Sequence, residues 1–590
     1  MVGQGSSTLP VPHDDVIPGT ETSTLAAPSA SPSVIDADEK IGDRGSTTSH
    51  SNQLQPVDEV PVDEKNELEK TQTMESMHEY PKAWKLAVIS IALCLSVFCM
   101  ALDNTIIATA IPKITDHFNS LNDVGWYGSA YLLTTCSFQL LFGKIYTFYS
   151  VKWVYVTAML IFEVGSILCA AAPTSTALII GRAIAGVGSA GIFAGALLIV
   201  AQTVPLDKRP TYTGMIGSMY GLASVAGPLL GGVFTDSASL TWRWCFWINL
   251  PFGAVTLGFI IFFYTDIRQT KKTTLTWGER IEQFDLHGTA VFLPAIICLL
   301  LALQWGGSKY PWGNGRVIAL LVLAGVLLAA FVGIQIWKQD KGTVPPRIIK
   351  QRSIAASAWF AAMLGAAFFV LVYYIPIWFQ AIKSVSATGS GIRNLPMILG
   401  LVIMSIVAGG LVTVTGFYNP FIIGSTVLAS IGAGLITTWE VDTGHAQWIG
   451  YQALFGIGIG MGMQQPLIAV QTVLPSRDIA TGTAVIIFSQ TLGGALAVSI
   501  AQNVFNNQLI KNLGQQVPDL DASIVLTTGA TSLKENLPAE FLEGALSAYN
   551  LSLTQTYYIA VAFMALSIFG AVAIEWKSVK GKKIEMAGGA

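Results

Sequence analysis

Three ionisable residues stand where charge is costly: Asp103, Glu163 and Arg182 each fall inside a long apolar stretch. A charge at the centre of a bilayer costs about 3 kcal/mol or more, so such residues are kept for a job or tied to a partner. Asp103 lies about nine residues from the outer end of its stretch and Arg182 about six from the end of its own. At a rise of about 1.5 Å per residue the two sit at similar depth and can pair across a bundle. A carboxylate that loses its ion pair on protonation can bias a two-state protein, which is the chemistry of proton coupling. Glu163, near the middle of a third stretch, is a second carboxylate able to take part. The plain alternative is that all three are structural ties between helices.

A second constellation concerns shape. Gly214, Gly221, Gly227, Pro228, Gly231 and Gly232 fall within one stretch that ends at Asp236. Pro228 cannot donate to the helix ladder, and the glycines remove side-chain bulk, so this helix is built to bend or to pack closely. Polar and aromatic residues within other stretches, Gln139, Tyr374, Trp378, Gln380, Gln464, Gln465 and Gln490, are candidates for lining a substrate cavity. Helix packing, or anchoring of Trp and Tyr at the headgroups, is the competing use of the same residues. A lining with few fixed charges suits amphipathic, largely neutral organic molecules.

The elements that hold these residues are set by composition. Of the 590 residues 52% are hydrophobic and 12% charged, with a mean hydropathy of +0.56. Roughly 20 apolar residues cross a hydrocarbon core, and about fourteen such stretches run from Leu86 to Ile574. The least apolar are the second, Trp126 to Phe142, and the eleventh, Phe421 to Thr437. The expected organisation is a disordered cytoplasmic tail at 1–82 and a six-helix bundle at 83–270. Two extra spans follow at 271–350, then a second six-helix bundle at 351–576 with an outer loop at 506–555, and a basic tail at 577–590.

Lys and Arg alternate between connections, roughly 20 on one side against about 8 on the other, which puts both termini in the cytoplasm. The first 80 residues are rich in Ser, Thr, Pro, Asp and Glu and carry a net charge of roughly −11, too polar to bury a core. They show no apolar signal-peptide core, so the first span is expected to direct insertion itself. The rest is near +8, which fits anionic lipid rather than nucleic acid. Six cysteines lie in or beside the stretches with no CxxC pair, and six histidines form no cluster, so neither a disulfide framework nor a metal site is expected. No Gly-Lys-Ser or Gly-Lys-Thr loop occurs, and nothing suggests an enzyme or a cofactor. Asn550-Leu551-Ser552 is a glycosylation acceptor by sequence.

The chain also repeats itself. Gly181, Gly186, Gly188 and Gln202-Thr203-Val204 are echoed about 270 residues later by Gly450, Gly456, Gly458 and Gln471-Thr472-Val473, each followed by a Pro-plus-charge turn. Parallel halves of this kind belong to carriers that rock two bundles about a midplane site.

Taken together, these residues resemble the fourteen-span drug:proton antiporter branch of the major facilitator superfamily, of the fungal toxin-efflux type. The resemblance rests on Leu102-Asp103-Asn104-Thr105-Ile106-Ile107, on Gly181-Arg182 with Gly186 and Gly188, and on Gly227-Pro228 with Gly231-Gly232. Trp242-Arg243-Trp244-Cys245-Phe246 and Asn249-Leu250-Pro251-Phe252-Gly253 complete it. It implies an all-α major facilitator fold of two six-helix repeats plus two central helices. It also implies a monomer in the plasma membrane, or alternatively the vacuolar membrane. The chain is then expected to export small organic compounds such as toxins, secondary metabolites or drugs in exchange for protons, and so to support multidrug resistance. A siderophore or amino-acid carrier of the same fold, or a non-transporting sensor, stays open. Two departures stand out. The loop Gly143-Lys144-Ile145-Tyr146-Thr147-Phe148-Tyr149-Ser150 carries Thr and Ser where the family usually has Asp and Gly, and the second half has Tyr451-Gln452 where the first has Arg182.

Overall fold

The computed structural model describes residues 81–118, 123–237, 239–266, 285–307, 309–518, 520 and 538–580. The readings made for the N-terminal tail, for 267–284 and for the residues after 580 lie outside them. Among the described residues the regular elements are all helices, with two isolated β-bridges and no strand.

In chain order the helices are α1 (Ala83–Phe118), α2 (Val124–Phe148), α3 (Val151–Ala170), α4 (Ser175–Thr203), α5 (Arg209–Asp236), α6 (Trp244–Trp247) and α7 (Asn249–Phe263). Next come α8 (Leu286–Trp305), α9 (Gly315–Lys338), α10 (Pro346–Ile349), α11 (Arg352–Ala381), α12 (Ala387–Arg393) and α13 (Leu395–Thr415). The chain closes with α14 (Asn419–Ile436), α15 (His445–Gly462), α16 (Gln465–Val473), α17 (Ile479–Gln516) and α18 (Ala539–Ala573). Thirteen of the described segments are long and apolar enough to cross a membrane, with α6–α7 and α15–α16 each forming one. Helix α2 has the length, 25 residues, but its Ser, Thr and Gln content dilutes its apolar character.

Of the expected outer loop at 506–555, the described residues are largely helical. Helix α17 runs 38 residues, about 57 Å at 1.5 Å per residue, which exceeds a hydrocarbon core of about 30 Å. Its far end and the start of α18 both fall within 506–555, and they are tied together by Asn512 Nδ2, which donates to Ser552 Oγ (2.9 Å) and Gln555 Oε1 (3.1 Å).

The repeat is a repeat of packing. A Cβ at Gly188 would fall 2.6 Å from Ala158 O on α3, and one at Gly458 would fall 2.7 Å from Ala429 Cα on α14. Gly186 abuts Tyr131 of α2 just as Gly456 abuts Met397 of α13. Glycine recurs at both registers because backbone meets backbone there. Helices α8 and α9 pack on each other, and α8 reaches the main bundle through Phe292, whose ring lies 5.4 Å from Phe488 of α17.

At one end of the bundle, which carries Lys144, Arg209, Lys341, Arg347, Arg352 and Arg477, the halves meet. Val200, Val204 and Ile216 share a buried cluster there with Leu467, Val470, Leu474 and Ile487. Thr147 Oγ1 lies 3.3 Å from Thr481 Oγ1 across the same seam. The hydroxyl at Thr147 therefore touches the start of α17, where the family pattern would place a carboxylate.

Candidate functional site

Asp103 and Arg182 are brought together. Both are fully buried, Asp103 on α1 and Arg182 on α4, and Arg182 Nη1 donates to Asp103 Oδ2 and, at 3.1 Å, to the Asp103 carbonyl. Arg182 Nε donates to Tyr127 O on α2 at 2.9 Å, and the guanidinium lies 4.5 Å above the Tyr131 ring. A planar fork that stacks on an aromatic face and hydrogen-bonds in its own plane uses properties that lysine lacks. Arg182 Nη2 is buried without a partner among the described residues.

The other Asp103 oxygen has a partner on a helix to which the sequence alone assigns no role. Asn249 Nδ2 donates to Asp103 Oδ1 at 2.9 Å and to Ser166 Oγ on α3 at 3.1 Å. Asn249 is fully buried at the first residue of α7, just past the break at Ile248. One turn further on, Gly253 faces Glu163, and a Cβ there would collide with its carboxylate. Glu163 is 8% exposed, and neither of its oxygens has a hydrogen-bond partner among the described residues. Arg182, Asp103, Asn249 and Ser166 thus form a chain of polar contacts over four helices, and Glu163 stands one turn before Ser166 on α3. The signal available in the sequence was Asn249 in the motif that opens its helix. Nothing in one sequence says that this amide points at Asp103.

The second half differs in the expected way. Gln452, 270 positions after Arg182, is buried, and its Nε2 donates to Arg393 O at 3.1 Å, a backbone contact like that of Arg182 with Tyr127 but without charge.

Helix α5 lies between α1 and α13 with small residues on both faces. Toward α1, a Cβ at Gly231 would come 2.7 Å from Ile106 O, and one at Gly227 2.8 Å from Thr105 Cβ. Thr105 Oγ1 donates to Ala223 O at 2.9 Å, so Ala223, a small residue between Gly221 and Gly227, also lies close against α1. Toward α13, Gly214 abuts Ser405 O and Gly221 abuts Val402 and Leu401, while Pro228 lies 3.5 Å from a Cβ placed on Gly391 of the short helix α12. Gly232 is half-buried.

The candidate lining residues divide. Gln464 reaches across to α5, its amide packed on Gly217, with Oε1 unpartnered among the described residues. Gln465 donates to Met461 O at 3.1 Å and also keeps a buried, unpartnered Oε1, and Gln139 has a buried, unpartnered Nε2. Gln490 packs on Gly365. Tyr374, Trp378 and Gln380 instead build the packing of the second half. The Trp378 and Trp439 rings are 4.6 Å apart, Tyr374 O accepts from Tyr557, and Gln380 donates to Ser390 Oγ at 3.1 Å.

Asn550 is not on a loop. It lies within α18, buried, where its Nδ2 donates to Trp439 O (3.0 Å) and its Oδ1 accepts from Trp378 Nε1 (2.6 Å). The nitrogen a glycan would take is already engaged with the backbone of the connection between α14 and α15.

A bundle of two similarly packed halves with a buried ion pair in the first defines a polytopic membrane carrier. No group of three or more His, Cys, Asp or Glu able to hold a metal occurs among the described residues. Residues 93–498 match the model of the Major Facilitator Superfamily. The chain belongs to that superfamily. It is 60% identical over 503 residues to the MFS-type efflux pump MFS1 of Arthroderma benhamiae, covering 85% of this chain and 94% of the relative. It is 56% identical over 497 residues to the efflux pump roqT of Penicillium rubens (84% and 92%) and 52% over 497 residues to the efflux pump aflT of Aspergillus parasiticus (84% and 96%). Among solved structures, the human organic anion transporter MFSD10 aligns with a TM-score of 0.52 at 14% identity, over 81% of this chain and 99% of that one. The proton:xylose symporter XylE aligns with a TM-score of 0.54 at 12% identity, over 84% and 98%. These two establish the fold alone.

Proposed function

We propose that this chain exports small organic compounds of the toxin, secondary-metabolite or drug type in exchange for protons. The observation that carries the proton side is the buried Asp103–Arg182 pair, with Asn249 on the free carboxylate oxygen. Protonating Asp103 removes the charge that holds Arg182, which changes the relative stability of the two ends of a rocking cycle. Glu163, close by with no partner of its own among the described residues, is the second proton carrier in this reading.

Export, rather than uptake by a siderophore or amino-acid carrier, is supported by relatives named efflux pumps over 84–85% of the chain. The compound is met by neutral amides, Gln139, Gln464 and Gln465, each of which keeps one buried amide atom without a partner among the described residues, Nε2 in Gln139 and Oε1 in the other two. Such a lining takes hydrogen-bonding, largely uncharged molecules. The reading further places a monomer in the plasma membrane, with both termini and the basic end in the cytoplasm, two six-helix halves at 83–270 and 351–576, and two linker spans at 271–350.

Proteoliposomes with an acidic lumen test it, with a panel of amphipathic fluorescent dyes as cargo. Dye should accumulate while the gradient lasts, and Asp103→Asn should stop accumulation yet leave gradient-independent dye exchange. Gradient-driven accumulation that survives unchanged in Asp103→Asn overturns the coupling role.

A further inference from the structure

The helices between the halves, α8 and α9, look from the sequence like a means of passing the chain across the membrane twice. Their connection to α10 is more specific than that. A 3-10 turn at Gln339–Lys341 leads into Gly342-Thr343-Val344, and this elbow is tied down by Asp285, the N-cap of α8. Asp285 holds a left-handed backbone (φ 46°) and accepts from Gly288 N (3.0 Å), Gln335 Nε2 (2.8 Å), Thr343 N (2.9 Å) and Thr343 Oγ1 (2.9 Å). Lys338 Nζ lies 3.2 Å from Asp285 Oδ1, and Gln335 Oε1 accepts from Val344 N at 2.9 Å. The elbow has one shape because every one of these donors is used.

From that fixed elbow two contacts leave, one to each half. Lys144, buried near the end of α2, donates to the carbonyls of Gly342 and, at 3.2 Å, Lys341. Arg347, at the start of α10, forks onto Asp478, the N-cap of α17, with Nη1 and Nη2 at 2.5 and 2.8 Å from the two carboxylate oxygens. Arg347 Nε donates to Asp340 Oδ1 at 2.5 Å. Between these two anchors the halves touch directly, Thr147 to Thr481 and Gly143 to Ala480. A carrier that rocks must part α2 from α17 at this end during its cycle.

We propose that the elbow between α9 and α10 is a latch, which bridges α2 and α17 through Lys144 and Arg347–Asp478 and holds this end of the carrier closed. The linker helices then take part in the transport cycle. A bidentate arginine–carboxylate pair fits a latch because it is directional, is stronger than a neutral hydrogen bond, and can be released as a unit. The inference depends on the carrier fold and not on proton coupling, so it stands or falls apart from the role of Asp103.

Hydrogen–deuterium exchange on the full chain in nanodiscs tests it, read over 143–150 and 478–484. Arg347→Ala is expected to raise exchange in both segments by about tenfold, the net effect of losing a part-exposed arginine–carboxylate fork. The reversed pair Arg347→Asp with Asp478→Arg is expected to return exchange toward the starting level, which a role in local folding alone does not predict. Lys144→Met removes the other anchor and should raise exchange in the same two segments with the fork intact, which keeps the latch testable if Arg347→Ala does not fold. Unchanged exchange in a folded Arg347→Ala or Lys144→Met protein overturns the latch. So does a reversed pair no more protected than Arg347→Asp alone.

Discussion

Asn249 donates to Asp103 Oδ1 at 2.9 Å while its own side-chain oxygen Oδ1, buried, has no partner among the described residues. An amide fixed by its donor side, with its acceptor side unused, is placed to tell whether its neighbour carries a charge. The carboxylate Oδ1 accepts from Asn249. A protonated Asp103 would instead donate to the unused oxygen after a flip of the amide, so the contact with Asn249 can be kept in either protonation state while Arg182 loses its counter-ion.

Asn249→Ala should therefore cost about 1–3 kcal/mol of stability by leaving an Asp103 oxygen unpaired. It should also move the pH at which dye efflux is half-maximal. Asn249→Asp should be worse, since it sets a second carboxylate against Asp103. A thermal-shift measurement and a pH profile of efflux check the two effects separately. A pH profile that coincides with that of the unaltered protein would limit Asn249 to a structural role.

Removing only one member of the ion pair should be expensive. Arg182→Leu leaves Asp103 buried without its counter-ion, at a cost of about 3–5 kcal/mol, whereas Arg182→Leu combined with Asp103→Asn should regain much of that stability and still fail to couple to a pH gradient. The comparison is a double-mutant cycle on unfolding in detergent, run beside the dye assay.

On α5 the face toward α1 has no room. Gly231→Leu should force α5 away from Ile106 and lower stability by about 1–3 kcal/mol or more, and Gly221→Leu should do the same against Val402 and Leu401 of α13. Gly434, beside which a Cβ meets nothing within 4 Å, is the control, and Gly434→Ala should be close to neutral. Thermal midpoints of the three variants rank them.

Asn550 should carry no glycan: treatment of the membrane-expressed protein with an endoglycosidase should leave its mass unchanged. Asn550→Ala should instead lower stability by about 1–3 kcal/mol, because Trp378 Nε1 loses its acceptor inside a packed aromatic cluster. A mass loss on treatment that Asn550→Gln abolishes would contradict this placement.

The elbow predicts a pH dependence. Burial alone would push the Asp285 carboxyl up, but donation from Gln335, Gly288 and Thr343 outweighs it and holds the group below its ordinary value. The charged form is the one the fold favours. Its contribution is complete above the unfolded value of about 3.9 and fades as pH falls through the lower folded value. The difference in thermal midpoint between the unaltered chain and Asp285→Asn should therefore be constant from about pH 8 to 5 and close only below about pH 4.

Much of this protein is legible along the chain. Apolar stretches of membrane-crossing length declare the helices, because the bilayer demands about 20 such residues whatever their neighbours are. The repeated glycines of α4 and α15 declare the two related halves, because close helix packing admits little else. Asp103 and Arg182 declare themselves by cost, and their matched depth foretells the pair. Other features depend on which faces meet, and no local pattern reports that. Asn249 reads as a helix start until α7 is placed against α1. Asn550 reads as a loop acceptor until α18 is seen to begin at Ala539. Tyr374 and Trp378 read as cavity residues until their rings are found packed within the second half. Arg347 and Asp478 are 131 positions apart, and Lys144 is 198 from Gly342. A surface charge in sequence becomes a bridge only when folding sets its partner opposite, because hydrogen bonds act over about 3 Å and composition carries no distance.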